Sequence, residues 1–287
     1  DGEASAPQPR EAKVPAAWKD ARDEFKEEEI AAEIKRRYPN LDLGGKHNLR
    51  AIMSPADKDQ RFTYCLELID AVRVWVSTGQ SLMLDKILDE QFKEKENDPV
   101  FMTIVAAFYR YGKPSGLMSM FPAETALRRA LTVDPNFEVA NFLLADTLLN
   151  SPRAGVNASE VIVLLDKALS KRPDYADALT TRAYLMVFAE ANPTGAMESL
   201  EKAFRKPSTD HALLDPQLSL YLSATVASQA WQRATTELLA LRERLAAPDL
   251  KARVTMMVGT VAAEQGGNDE ALSVAEEGLK SIDTAKL

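Results

Sequence analysis

One spacing recurs along this chain and constrains its fold more than any other feature. Ala123, Leu127 and Ala130 stand four and then three residues apart, and Pro135 follows five later. Val161, Leu165, Ala168 and Pro173 repeat the series without a slip. Ala196, Leu200 and Ala203 repeat its first three members, with Pro207 one residue early, and Ala271, Ala275 and Gly278 repeat them near the end. Spacings of four and three put residues on one face of an α-helix. Small residues at fixed points on that face let two helix backbones come close, while the larger residue between them fills the gap. The proline cannot continue the helix and pushes the preceding residue out of the helical region, so the chain turns there. Such a helix has a buried face that needs a partner, and repetition of the series implies repetition of the pair.

The rest of the chain supplies the partners. After Pro55, apolar periodicity of 12–18 residues alternates with short breaks at Gly79, Asp98-Pro99, Gly112 to Gly116, Asp134-Pro135, Ser151-Pro152, Arg172-Pro173, Pro248 and Gly266-Gly267. The breaks divide the sequence into helix pairs: Asp57–Ser77 with Ser81–Glu96, Pro99–Tyr111 with Phe121–Val133, and Phe137–Leu149 with Ala158–Lys171. Tyr175–Ala189 with Thr194–Lys206, Asp215–Ala230 with Gln232–Ala246, and Asp249–Gln265 with Asp269–Ile282 follow. Ala, Leu, Glu, Lys, Arg and Met dominate, and only 12 of the 287 residues are glycine, which suits helices and not a turn-rich β fold. Upstream, Trp18, Ala21, Phe25, Ile30 and Ile34 give an apolar stripe between Pro15 and Pro39, which predicts one further helix before a connector that contains Gly44-Gly45. The domain reading is a flexible tether over 1–14, this helix and connector over 15–56, and a helical-repeat domain over 57–287 with about six pairs, those at 57–96 and 212–246 degenerate.

The first helix of each pair can be placed in the same register. Asn141, Leu144, Ala145 and Leu148 follow Pro135, Thr255, Val258, Gly259 and Ala262 precede Ala271, and Met102, Val105, Ala106 and Tyr109 precede Ala123. With these first-helix positions the sequence resembles the tetratricopeptide repeat family, most clearly over 99–207 and 250–282. It departs from the family in lacking the characteristic Trp of the first helix and in carrying loop insertions. The resemblance implies an all-α, right-handed solenoid of stacked antiparallel helix pairs with an N-terminal helix, and a role in holding a protein or peptide on the concave face lined by the first helices. Carried over residue by residue, that face has Val139, Phe142, Asp146 and Leu149 from the third pair and Asp177, Thr180, Tyr184 and Val187 from the fourth. The second pair gives Val100, Thr103, Ala107 and Arg110, and the last gives Arg253, Met256, Thr260 and Ala263. Aromatic and aliphatic anchors among a few charges suit an amphipathic helix or an extended segment. The Lys, Asn and Arg set with which some family members grip a terminal carboxylate is absent at these positions. Phe142 or Tyr184 packing beneath the N-terminal helix or a terminal tail is the structural alternative.

Signals of catalytic chemistry are weak. His47 and His211 are far apart and have no Cys, His or carboxylate at metal-ligand spacing. Cys65 lies among Asp59, Glu67 and Asp70, which would not favour a thiolate. Asp85, Asp89 and Glu90 read as a solvated helix face, and Asn157-Ala-Ser159 is a three-residue glycosylation match of low specificity. No phosphate loop, nucleophile elbow or zinc-binding helix motif appears, so neither an enzymatic role nor a cofactor or metal is expected. A net charge of −8 argues against nucleic acid as the partner. No apolar run is long enough to span a membrane. The opening Asp1–Arg10, rich in Ala and Pro, reads as the kind of tether that follows a signal peptide or a lipid-bearing residue. A periplasmic or envelope-associated adaptor is therefore expected, with the cytoplasm as the alternative location. A transport- or solute-accessory protein that forms an oligomer with a ligand cleft is the alternative function.

Overall fold

Prolines and short polar caps set where the helices begin. In a computed structural model, which describes residues 52–77, 79–112, 122–151, 158–207 and 211–267 together with 49, 114, 269, 271–274 and 276, the secondary structure is helical throughout. Eleven helices are delimited among the described residues: α1 Lys58–Ser77, α2 Ser81–Lys95, α3 Pro99–Tyr111, α4 Ala123–Val133, α5 Glu138–Leu149, α6 Ala158–Lys171, α7 Ala176–Phe188, α8 Pro193–Phe204, α9 His211–Ser228, α10 Trp231–Arg244 and α11 Pro248–Glu264. The Asp98 carboxylate accepts from the Phe101 N–H at 2.8 Å, and Pro99 opens α3. Asn192 does the same for α8 with the Gly195 N–H at 3.0 Å. A Cβ on Gly195 would lie 2.5 Å from the Asn192 amide, so this cap requires glycine. The tether, the helix expected over 15–38, His47, Asn157 and most of the second helix of the last pair lie outside the described residues.

The chain divides into two compact units, one ending at Ala126 and the next beginning at Leu127. In the first, α1 packs along α3, the first helix of the following pair, and α2 touches both. Its core includes Leu68, Val72, Leu84, Leu88, Phe101 and Phe108, all essentially without solvent contact. The end of the connector belongs to this core. Leu49 and Ile52 are buried, the Gln91 amide donates to the Leu49 carbonyl at 2.7 Å and accepts from the Ile52 N–H at 3.1 Å, and the Met53 N–H donates to the Tyr64 hydroxyl at 3.2 Å.

The second unit shows the stacking that separates a repeat array from an irregular bundle. Helix α5 pairs with α6 and α7 with α8, and each first helix also touches the next one: α5 with α7, α7 with α9, and α9 with α11. This is a tetratricopeptide-like array of helix pairs, as the register implied. The nine repeat positions in the second helices of three pairs, Ala123, Leu127, Ala130, Val161, Leu165, Ala168, Ala196, Leu200 and Ala203, are all buried, the most accessible being Ala123 at 7%. Burying a leucine such as Leu200 is worth about 1.5–3 kcal/mol, and the alanines beside it allow the close approach that makes this possible. Between α8 and α9 the Phe204 and Tyr221 rings meet edge to face with centroids 5.3 Å apart.

The turns repeat as well as the helices. At the ends of α1, α9 and α11 the residues Gly79, Gln229 and Gly266 adopt positive φ (79°, 55° and 95°). After each, the next N–H reaches back five residues: Gln80 to the Trp75 carbonyl at 2.9 Å, Ala230 to Thr225 at 3.3 Å, and Gly267 to Ala262 at 2.9 Å. This is the Schellman closure, which satisfies carbonyls that the helix end leaves orphaned. In the opposite turns, Pro135 and Pro173 are followed two residues later by Phe137 and Tyr175, both buried at the mouth of the next first helix.

Most helix boundaries agree with the sequence reading to within two residues. Helix α9 is the exception, since it starts at His211 and not at Asp215. Pro216 therefore lies inside the helix and not in its first turn.

Candidate functional site

The first helices of the second unit are covered on one side by the second helices and on their flanks by each other, which leaves a stripe of each open. On α7 the stripe holds Asp177, Thr180 and Val187, all half-buried, and Tyr184 and Phe188, which are 46% and 63% exposed. The two rings lie one helical turn apart with centroids 4.8 Å from each other. Cross-helix bonds fix the relation of neighbouring stripes. Gln217 of α9 donates to the Thr180 hydroxyl at 2.8 Å, and Arg253 of α11 pairs with Asp215 of α9 at 2.6 Å. Positions 177, 215 and 253 are 38 residues apart, as are 188 and 226, so corresponding turns of successive first helices stand side by side. Val226 on α9 is 45% exposed and Met256 on α11 50%. Thr260 and Ala263 are also exposed.

Positions on α5 differ. Val139 is fully buried, and Phe142, 9% exposed, packs edge-on against Tyr175 with centroids 5.0 Å apart. Asp146 and Leu149 are half-buried, and the Asp146 carboxylate accepts from the Asn150 amide at 2.8 Å. In the first unit, Val100, Thr103 and Ala107 are buried in α3, whereas Arg110 is exposed with its guanidinium 5.7 Å from the Tyr111 ring centroid. Helices α3 and α5 carry apolar residues on nearly every side (Pro-Val-Phe-Met-Thr-Ile-Val-Ala-Ala-Phe in α3), and such helices are covered on all sides. That signal was present in the sequence. Phe188, one residue beyond the last family position of α7, was missed because the register selected Val187, and Val226 was missed because no family positions were carried onto the degenerate unit at 212–246.

On the opposite side, the second helices are tied by a carboxylate clasp. Glu201 of α8 accepts from the Tyr221 hydroxyl at 2.9 Å and takes both Arg233 Nε and Nη2 at 2.7 Å. Burial, with the Glu201 charge, pushes the Tyr221 phenol far above its usual range, and the bond to Glu201 raises Arg233 further. At a turn, Lys206 bonds to Asp174 at 2.6 Å and holds its carboxyl below the usual range. These contacts join helices and turns.

Each unit has a cavity lined by described residues. One of about 450 Å³ lies along α4 and α6, lined by Leu131, Asn141, Val163, Leu164 and the Arg128–Glu160 ion pair. The other, about 580 Å³, lies in the first unit against Met53, Pro55, Asp59, Tyr64 and Glu67, with one aromatic residue among its described walls. Cys65 is buried. Among the described residues no group of three or more His, Cys, Asp or Glu is placed to hold a metal ion. No helix among them is long and apolar enough to cross a membrane.

No protein-family model matches the sequence, and no curated protein is significantly similar to it. Among solved structures, the chain is similar to a tetratricopeptide repeat protein from Parabacteroides merdae, with 13% identity over 76% of this chain and 80% of that one and a TM-score of 0.47.

Proposed function

We propose that this protein is a scaffold that holds a partner protein or peptide on the first-helix face of its second unit. The observation that carries the reading is the exposed Tyr184–Phe188 pair, standing in register with Val226 on the next stacked helix. Large side chains that a fold leaves in water at neighbouring sites mark a contact surface, and aromatic residues dominate the energy of such contacts. Asp146, Leu149, Asp177, Thr180, Val187 and Met256 border the same face. Val139 and Phe142 support it from below, and Arg110 belongs to the first unit. A place in the bacterial envelope, suggested by the opening of the chain, is part of the same proposal, and fractionation of the source cells tests it.

The experiment is affinity capture with the full chain and with a Tyr184→Ala, Phe188→Ala double variant whose circular dichroism is unchanged. One protein should be captured by the unsubstituted chain, and the variant should bind it at least tenfold more weakly, the equivalent of about 1.4 kcal/mol. Equal capture by both would remove this face from the reading. Capture of nothing, with ligand-dependent oligomers in sedimentation, would favour the solute-accessory alternative.

A further inference from the structure

The cavity of about 450 Å³ between the second helices α4 and α6 belongs to neither the partner face nor the carboxylate clasp. Three helices build it. Helix α6 contributes Glu160, Val163 and Lys167 at spacings of three and four, α5 contributes Asn141 and Leu144 three apart, and α4 contributes Leu131, so each helix presents one face. Its volume lies in the range of sites that hold small molecules, and its walls mix aliphatic side chains with a few polar ones, as such sites do.

Asn141 is the unusual member. Its side-chain amide donates from Nδ2 to the Pro135 carbonyl at 3.1 Å and to the Phe137 carbonyl at 3.0 Å. An inverted amide would set Oδ1 against both carbonyls, so the orientation is fixed. The residue is 1% exposed, and Oδ1 has no hydrogen-bond partner among the described residues. Buried acceptors are nearly always paired, because an unmet one loses its water and gains nothing. A donor brought into the cavity would meet that need.

Charge on the walls selects the rest of the ligand. Both carboxylates of α6 are held by arginines, Glu160 by Arg128 at 2.9 Å and Asp166 by Arg182 at 3.2 Å. Lys167 stands on the cavity wall outside any ion pair among the described residues. One ammonium beside aliphatic walls suits a single carboxylate. A phosphate would call for more donors than this wall carries.

We infer that this cavity binds a small apolar carboxylic acid that also carries an N–H or O–H, its body against Leu131, Leu144 and Val163, its donor on Asn141 Oδ1 and its carboxylate toward Lys167. The inference does not depend on the scaffold role. Matched acids test it, titrated into the isotope-labelled full chain with amide shifts reading both affinity and place. Indole-3-acetate is compared with benzothiophene-3-acetate, which has the same shape without the N–H, and 4-hydroxyphenylacetate with phenylacetate. Each donor acid should move amides of α4, α5 and α6 saturably and bind at least about fivefold more tightly than its match. Lys167→Gln should weaken both donor acids several-fold and leave neutral indole-3-acetamide unchanged. Val163→Trp, from a half-exposed position, should fill the cavity and abolish binding. Circular dichroism and thermal midpoints show that the variants are folded, and the matched acids test Asn141 without altering it.

Equal binding within each matched pair would remove Asn141 from recognition and overturn the inference. Shifts that Val163→Trp leaves intact would place the acids elsewhere and overturn it as well. If neither donor acid gives saturable shifts up to about 5 mM, the cavity holds water alone and the inference falls.

Discussion

At the scale of single residues, the turns of this protein separate backbone conformation from side-chain contact. Gly266 sits at φ 95°, and a Cβ built there meets nothing within 4 Å. Gly266→Ala should therefore cost about 1 kcal/mol from left-handed backbone strain alone, with no clash to relieve. Gln229 occupies the matching position at φ 55° and already carries that strain. Gln229→Gly should leave stability unchanged or raise it by up to about 1 kcal/mol, since relief of strain is partly offset by the greater freedom of glycine when unfolded. Urea midpoints of the two variants check the pair, and a clear loss for Gln229→Gly would contradict the turn geometry. The same comparison shows what a sequence hides. Gly79 and Gly266 signal their turns openly, whereas Gln229 performs the same task with a residue that carries no turn signal, and only the preceding helix imposes its conformation. The candidate face was partly legible in the same way. Tyr184 and Met256 are exposed where the repeat register put them. Val139 and Phe142 occupy equivalent phases but are inside, because burial depends on which neighbours cover a helix, and those neighbours are distant in sequence.

At the scale of an element, α9 is where local rules and the fold disagree. Proline favours the first turn of a helix, and the start at Asp215 that the sequence reading has would put Pro216 there. The helix instead begins at His211, and Pro216 removes the N–H that would bond to the Ala212 carbonyl. Packing explains why the helix persists: Leu214, Leu218 and Tyr221 are all buried in the core of the second unit, and their burial outweighs one missing hydrogen bond. Pro216→Ala restores the donor and should stabilise the protein by on the order of 1 kcal/mol or more, read from the thermal midpoint. If α9 began at Asp215, Pro216 would lie in a favourable first turn, and its replacement would bring no gain. Elsewhere the boundaries were readable because proline or glycine punctuates nearly every break. Here the helix runs through a proline, since tertiary contacts hold residues on both sides of it.

At the scale of the whole molecule, a repeat array is stabilised through contacts between neighbours and lacks a single shared centre. The second unit has this organisation, since each of its first helices touches the next, α5 to α7 to α9 to α11. Damage should then stay near its origin. Phe204 is the place to test this, because its ring is fully buried and meets Tyr221 across the junction of α8 and α9. Phe204→Ala should cost about 3–5 kcal/mol, the range for deleting a large buried aromatic side chain. In native-state hydrogen exchange, amides of α8, α9 and α10 should lose protection first, while those of α5 and α6 keep most of theirs. A uniform loss from α5 to α11 would mean that the unit unfolds as one cooperative body. The outcome also bears on function. If openings are local, loosening at the α8–α9 junction reaches α9, and with it Val226, before it reaches α5. The aromatic end of the candidate face would then lose affinity for a partner under mild denaturant while most of the unit remained folded.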